Sequence, residues 1–123
     1  ASSEIARTRM LKLGDIAPDY VILSAPASYW VDLNNYDQVS AAAKFKNRIL
    51  VVQGAYDFQV TLQDFNIWKN SLASNKNVSF KLYPNLNHLF SVQKEMGNGM
   101  QYRTPAIVSP DLINDIAIWI KGK

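Results

Sequence analysis

What most constrains the fold of this chain is a change of period along it, from short β-rich runs to segments of helical spacing and back. Residues 20–24, residues 48–53 and Val78–Tyr83 read as strands. Residues 49–52 are apolar without alternation, as in a strand covered on both faces. Val78–Tyr83 alternates apolar and polar residues, as expected near a sheet edge. Helical spacing occupies the intervals. Residues 4–13 form one such segment, with Ile5, Met10, Leu11 and Leu13 as its apolar side and Gly14 and Asp15 as its stop. Residues 38–45 form a short one. Residues 61–74 form a stronger one, with Leu62, Phe65, Trp68 and Leu72 on one face and a capping box of Thr61 and Asp64. A last helix starts at Ser109 as N-cap, with Pro110 at its first position and Asp111 in its first turn. Its expected buried stripe is Leu112, Ile113, Ile116, Trp119 and Ile120. Residues 91–108, which contain Gly97, Gly99 and Pro105, read as a long loop.

Strands alternating with helices predict βαβ units and a parallel sheet. The expected class is therefore α/β: a three-layer arrangement of about three parallel strands with flanking helices, in one domain over residues 1–123. So thin a sheet leaves open edges. The run at 20–24 is short, apolar and poorly protected, which predicts self-association, or pairing with the rest of a longer chain, through that strand.

Composition removes several function classes. Apolar residues make up 48% of the chain and charged residues 19%, an ordinary globular balance. The net charge is +3, spread along the chain, and the loose cluster of Lys44, Lys46 and Arg48 reads as a solvated face, so no nucleic-acid partner is expected. No apolar run approaches the roughly 20 residues of a membrane span. With no cysteine, one histidine and scattered carboxylates, neither a thiolate nucleophile nor a metal cluster is expected. No glycine-rich phosphate loop is present, and no cofactor is expected. No targeting pattern stands out, which leaves the compartment open between cytoplasm and exterior.

In open parallel sheets, function collects in the loops at the carboxyl ends of strands. Two such loops each place one ionisable residue a few positions past a strand: Asp57 after the second strand and His88 after the third. Adjacent parallel strands bring these loops side by side. A carboxylate that accepts a hydrogen bond from one imidazole nitrogen fixes the tautomer and leaves the other nitrogen to take a proton from a nucleophile. Each residue also has a plainer reading, Asp57 as a turn or capping residue and His88 as a structural loop histidine. It is their matched placement that suggests chemistry.

These residues resemble a family. Gln53-Gly54-Ala55-Tyr56-Asp57-Phe58-Gln59-Val60 looks like the acid loop of α/β-hydrolases of the dienelactone-hydrolase and prolyl-oligopeptidase-like kind. Tyr83-Pro84-Asn85-Leu86-Asn87-His88-Leu89-Phe90 looks like their histidine loop, and Ile113-Asn114-Asp115-Ile116-Ala117-Ile118-Trp119-Ile120 like their final helix. The resemblance implies that Asp57 and His88 are the acid and base of a Ser-His-Asp triad acting on ester or related acyl substrates. Where members often carry a second histidine before the last helix, this chain has Pro105-Ala106-Ile107-Val108. The nucleophile is the larger departure. The family's chain order is Ser, then acid, then His, with the serine in Gly-x-Ser-x-Gly at a strand-to-helix elbow. None of the ten serines stands in that frame. Ser2 and Ser3 follow no strand, and Ser24 lies in Leu23-Ser24-Ala25-Pro26. The resemblance thus implies that the chain is the C-terminal portion of one hydrolase domain. The elbow would precede Ala1, residues 1–13 would be most of the helix after it, and the oxyanion-hole amides would lie outside the chain. The chain alone is then expected to be inactive. Tyr29, Trp30, Tyr56 and Phe58 are the expected substrate contacts, the first two from the family's habit of placing pocket residues after this strand and the others because they flank the acid. Two other readings stay open: a non-catalytic α/β module that binds at the same loops, and an α/β-hydrolase-fold protein that has lost its serine and only binds.

Overall fold

Backbone pairing joins the two β-rich runs that flank the strongest helical segment. In the computed structural model, which describes residues 2–12 and 21–122, Ile49–Gly54 and Val78–Tyr83 form a parallel ladder in continuous register, from Ile49 opposite Val78 to Gly54 opposite Tyr83. Here they are β3 and β4, counted after the two-residue strands β1 (Val21–Ile22) and β2 (Ala25–Pro26). The helices are α1 (Ser2–Met10), α2 (Ala27–Asn35), α3 (Gln38–Ala43), α4 (Leu62–Ser71) and α5 (Pro110–Lys121), with a 3₁₀ turn at Met100–Arg103. The chain divides into two compact units, Ala1–Ala42 and Ala43–Lys123.

In the second unit, α4 is the crossover between β3 and β4. The Asp64 carboxylate accepts hydrogen bonds from the Thr61 amide at 2.8 Å and hydroxyl at 2.9 Å, so the expected cap forms. Phe65, buried on α4, meets Phe80 of β4 edge-on, with ring centroids 6.0 Å apart. Successive strand residues point to opposite faces, so Lys81 and Tyr83 leave β4 on the side away from Phe80. There both donate to the Asp115 carboxylate of α5, Tyr83 at 2.7 Å. Helices therefore lie on both faces of the ladder. The core on the α5 side is Tyr83, Leu86 and Leu112, with Val52, Phe90 and Ile116 packed against it. The Arg48 guanidinium ties the ladder to the end of α5, stacking 4.6 Å from the Trp119 ring centre and donating to the Ile120 carbonyl at 3.2 Å.

Three expectations change. Among the described residues the parallel ladder has two strands rather than about three. Tyr20 lies outside the described residues, and Val21–Ile22 folds back antiparallel onto Ala25–Pro26. The reversal sits at Leu23 and Ser24, whose φ angles of 49° and 64° are both left-handed. Such a primed two-residue turn normally carries Gly or Asn, which explains why the run looked like a plain strand. The stripes on the helices are also narrower than expected. Leu62, Ile113 and Ile120 are exposed, because a two-stranded ladder covers only the central part of each helix face. On α1, Ile5 and Met10 are exposed and Thr8 is the buried residue; Leu13, Gly14 and Asp15 lie outside the described residues.

In the first unit, Ile22, Ala27 and Val31 are buried together with Thr8. The Asn34 amide donates to the Thr8 carbonyl at 2.6 Å, and the Trp30 indole donates to the Ile22 carbonyl at 2.9 Å. α3 starts on Asp37, whose carboxylate accepts from the Ser40 amide at 2.9 Å.

Candidate functional site

The acid and histidine loops leave neighbouring strands and are held together by backbone bonds before any side chain takes part. The Ala55 amide donates to the Tyr83 carbonyl at 2.8 Å, and the Tyr56 amide donates to the Leu86 carbonyl at 3.0 Å. Gly54 permits this approach. A Cβ at that position would fall 2.3 Å from the Leu86 carbonyl oxygen and 2.8 Å from that of Asn87. The loops can touch only because residue 54 has no side chain.

Asp57 then turns back over the end of β3. One carboxylate oxygen accepts the amides of Gln59 and Val60, each at 2.9 Å. The other accepts His88 Nδ1 at 2.9 Å and the Gln53 side-chain amide at 3.3 Å. Gln53 is itself buried and also donates to the Val60 carbonyl at 2.8 Å and the Gly54 carbonyl at 3.1 Å. Burial on its own would push the Asp57 carboxyl up. The Val60 amide, the His88 ring, the Gln59 amide and the charge of a protonated His88 together outweigh it and hold the group below its ordinary value. An ionised carboxylate only accepts, so Nδ1 carries the hydrogen, and in the neutral ring Nε2 keeps a lone pair. The Asp57 side chain is 7% exposed and that of His88 37%. The carboxylate is sealed while the imidazole is open to solvent.

The histidine loop is braced by its own neighbour. The buried Asn87 side chain accepts the Leu89 amide at 2.9 Å and the Ser91 amide at 3.1 Å, and donates to Gln93 at 2.7 Å. This brace supports Phe90 in a left-handed conformation, φ 55°. Sequence reasoning passed over Gln53 and Asn87, the two residues that orient the pair. The only available signal was a polar side chain at the end of each strand or loop, where polar residues are common.

The structure thus brings Asp57 and His88 together. Phe58 stacks on Tyr102, with centroids 5.9 Å apart, and Tyr56 is half-buried on the acid loop. Tyr29 and Trp30 belong to the other unit, where their rings meet edge-on at 5.1 Å. Among the described residues no cluster of His, Asp or Glu can hold a metal ion, and no helix is long and apolar enough to cross a membrane.

Comparison with known proteins adds one relative. The chain is 34% identical over 110 residues to a protein named Esterase EstD from Thermotoga maritima. That match covers 89% of this chain and 27% of the esterase, so the chain spans about a quarter of the length of the relative it matches. No protein-family model and no solved structure matches the chain.

Proposed function

We propose that this chain supplies the acid and base of a serine hydrolase of the α/β-hydrolase kind, acting on ester or related acyl substrates. The observation that carries this reading is the 2.9 Å contact between His88 Nδ1 and an Asp57 carboxylate that is also held by two backbone amides. The similarity to a protein named as an esterase supports it. His88 Nε2 takes the proton of the attacking serine and returns it to the leaving group, while Asp57 holds the tautomer and stabilises the imidazolium. The serine belongs to a Gly-x-Ser-x-Gly elbow in residues preceding this chain, and the chain alone transfers no acyl group. Tyr56 and Phe58, beside the acid, contact substrate.

A fluorophosphonate probe tests the reading. The longer protein should label on its elbow serine and hydrolyse short esters, and His88→Ala should abolish turnover. Ester turnover by the 123-residue chain that disappears with His88→Ala would contradict the claim that this chain is inactive alone. An unlabelled, inactive longer protein would favour a binding role.

A further inference from the structure

The second unit segregates its charges along the direction of the ladder. Side-chain bonds gather three segments at the end where both strands begin. The Asn77 amide donates to the Phe45 carbonyl at 2.9 Å and the Asn47 carbonyl at 2.6 Å, and Arg48 reaches the Ile120 carbonyl at 3.2 Å. Lys44, Lys46, Arg48, Lys76 and Lys121 therefore stand at one pole, all of them exposed. Residues 43–56, 65–83 and 116–123 contain no Asp or Glu. The acids of this unit lie toward the other pole: Asp57 and Glu95 in loops that follow the strands, Asp64 and Asp111 in the first turns of α4 and α5. Asp115, one turn further along α5, is paired with Lys81. Among the described residues, none of Lys44, Lys46, Lys76 and Lys121 has an ion-pair partner.

Cations at the carboxyl end of a helix complement its dipole, and α5 ends at this pole, which accounts for Lys121. The dipole does not account for the apolar side chains set among the cations. Phe45, between Lys44 and Lys46, is 60% exposed, and Ile120, beside Lys121, is 63% exposed. The backbone that carries Phe45 is tied down by the Asn77 amide, so the ring is presented rather than tucked in. Exposed apolar groups among lysines suit a lipid interface, where hydrocarbon takes the apolar groups and anionic headgroups meet the cations. A nucleic acid would also attract the lysines and could stack a base on Phe45, but it offers nothing to Ile120.

We propose that this pole docks on an anionic lipid surface, with Phe45 and Ile120 entering the boundary between headgroups and acyl chains and the surrounding cations on the headgroups. The assignment does not depend on the hydrolase reading above. The acid and histidine loops leave the opposite ends of β3 and β4. A unit docked in this way keeps His88 turned from the bilayer and open to solution.

The experiment is co-sedimentation of the longer protein with phosphatidylcholine vesicles, with and without phosphatidylserine as a minor component. The wild type should bind the anionic vesicles, leave the neutral ones in the supernatant, and release as salt is raised. Each Lys or Arg near an anionic surface is worth roughly fivefold in partitioning, so the triple variant Lys44→Gln, Lys46→Gln, Lys121→Gln should bind about 100-fold more weakly. Phe45→Ser should lose about tenfold at unchanged charge. Lys94→Gln with Arg103→Gln, outside this pole, should bind as the wild type does. All these positions are exposed, so the variants should unfold at the wild-type midpoint. Wild-type binding that ignores the phosphatidylserine, or is absent, would overturn the assignment, as would a triple variant that binds like the wild type. Capture of a single-stranded oligonucleotide through the same lysines, without vesicle binding, would overturn it in favour of a nucleic-acid partner.

Discussion

The closest packing in the site is at Gly54, which makes Gly54→Ala the most demanding test of the geometry. The added methyl carbon would sit 2.3 Å from the Leu86 carbonyl oxygen, 2.7 Å from its carbonyl carbon and 2.8 Å from the Asn87 carbonyl oxygen. Ordinary contact begins near 3.4 Å, so the approach is about 1 Å too close, and every atom met is backbone. No rotamer change relieves it. Either β3 and the histidine loop part, or the acid loop shifts away from β4. Overpacking of this kind costs about 1–3 kcal/mol, and the absence of any side chain to yield points to the upper half of that range. About 2 kcal/mol in a domain of this size lowers the midpoint of thermal unfolding by roughly 8 °C or more. The same displacement acts on the Tyr56–Leu86 bond and through it on the 2.9 Å contact between Asp57 and His88. A 1 Å misplacement at a reacting centre costs on the order of 100-fold in rate. Thermal and urea unfolding measure the first effect, and ester turnover by the longer protein measures the second. An alanine variant with unchanged midpoint and unchanged turnover would show that the two loops do not meet as described.

Asp57→Asn should leave the loop folded, since an amide oxygen still accepts from Gln59 and Val60, yet it should lower kcat by roughly 10³–10⁴ with little change in KM, because the histidine loses its tautomer anchor. Asn87→Ala exposes no new surface but strips partners from the amides of Leu89 and Ser91; the expected loss is about 2–3 kcal/mol in urea unfolding, and a loss below 0.5 kcal/mol would refute the bracing role. The carboxyls of Asp57, Asp64 and Asp115 are all depressed when folded. Their contribution is therefore fully present above the unfolded value near 4 and is lost as pH falls through the lower folded values. These three carboxyls should add no pH dependence between about pH 5 and neutrality and an acid limb below about pH 4, and Asp57→Asn should flatten part of that limb; an unchanged limb in the variant would contradict the depressed Asp57 carboxyl.

Much of the second unit was legible because its local signals agree with its packing. The capping box at Thr61, the proline at the start of α5, and the contrast between uniform and alternating apolar runs in β3 and β4 all reflect constraints that act within a few residues. The run at 20–24 was misread because its signal is misleading locally. Leu23 and Ser24 adopt left-handed angles usually reserved for glycine and asparagine, so nothing in the residue types marks a turn. The exposed faces at Ile113 and Ile120 were misread for a different reason: period shows which residues share a stripe, but only the width of the opposing layer decides how many of them it covers.

The sequence by itself singled out one carboxylate and the single histidine, in that order, at matched loop positions. Asp57 and His88 each stand a few residues past a strand, and strand pairing is a local enough inference to put the two loops side by side. Only the tertiary structure decided that they touch and in what state. The 2.9 Å contact, the burial of one partner and exposure of the other, and the supports at Gln53, Gly54 and Asn87 all depend on how closely two backbones approach across a gap of about thirty residues. That distance is set by packing, not by any pattern readable along the chain.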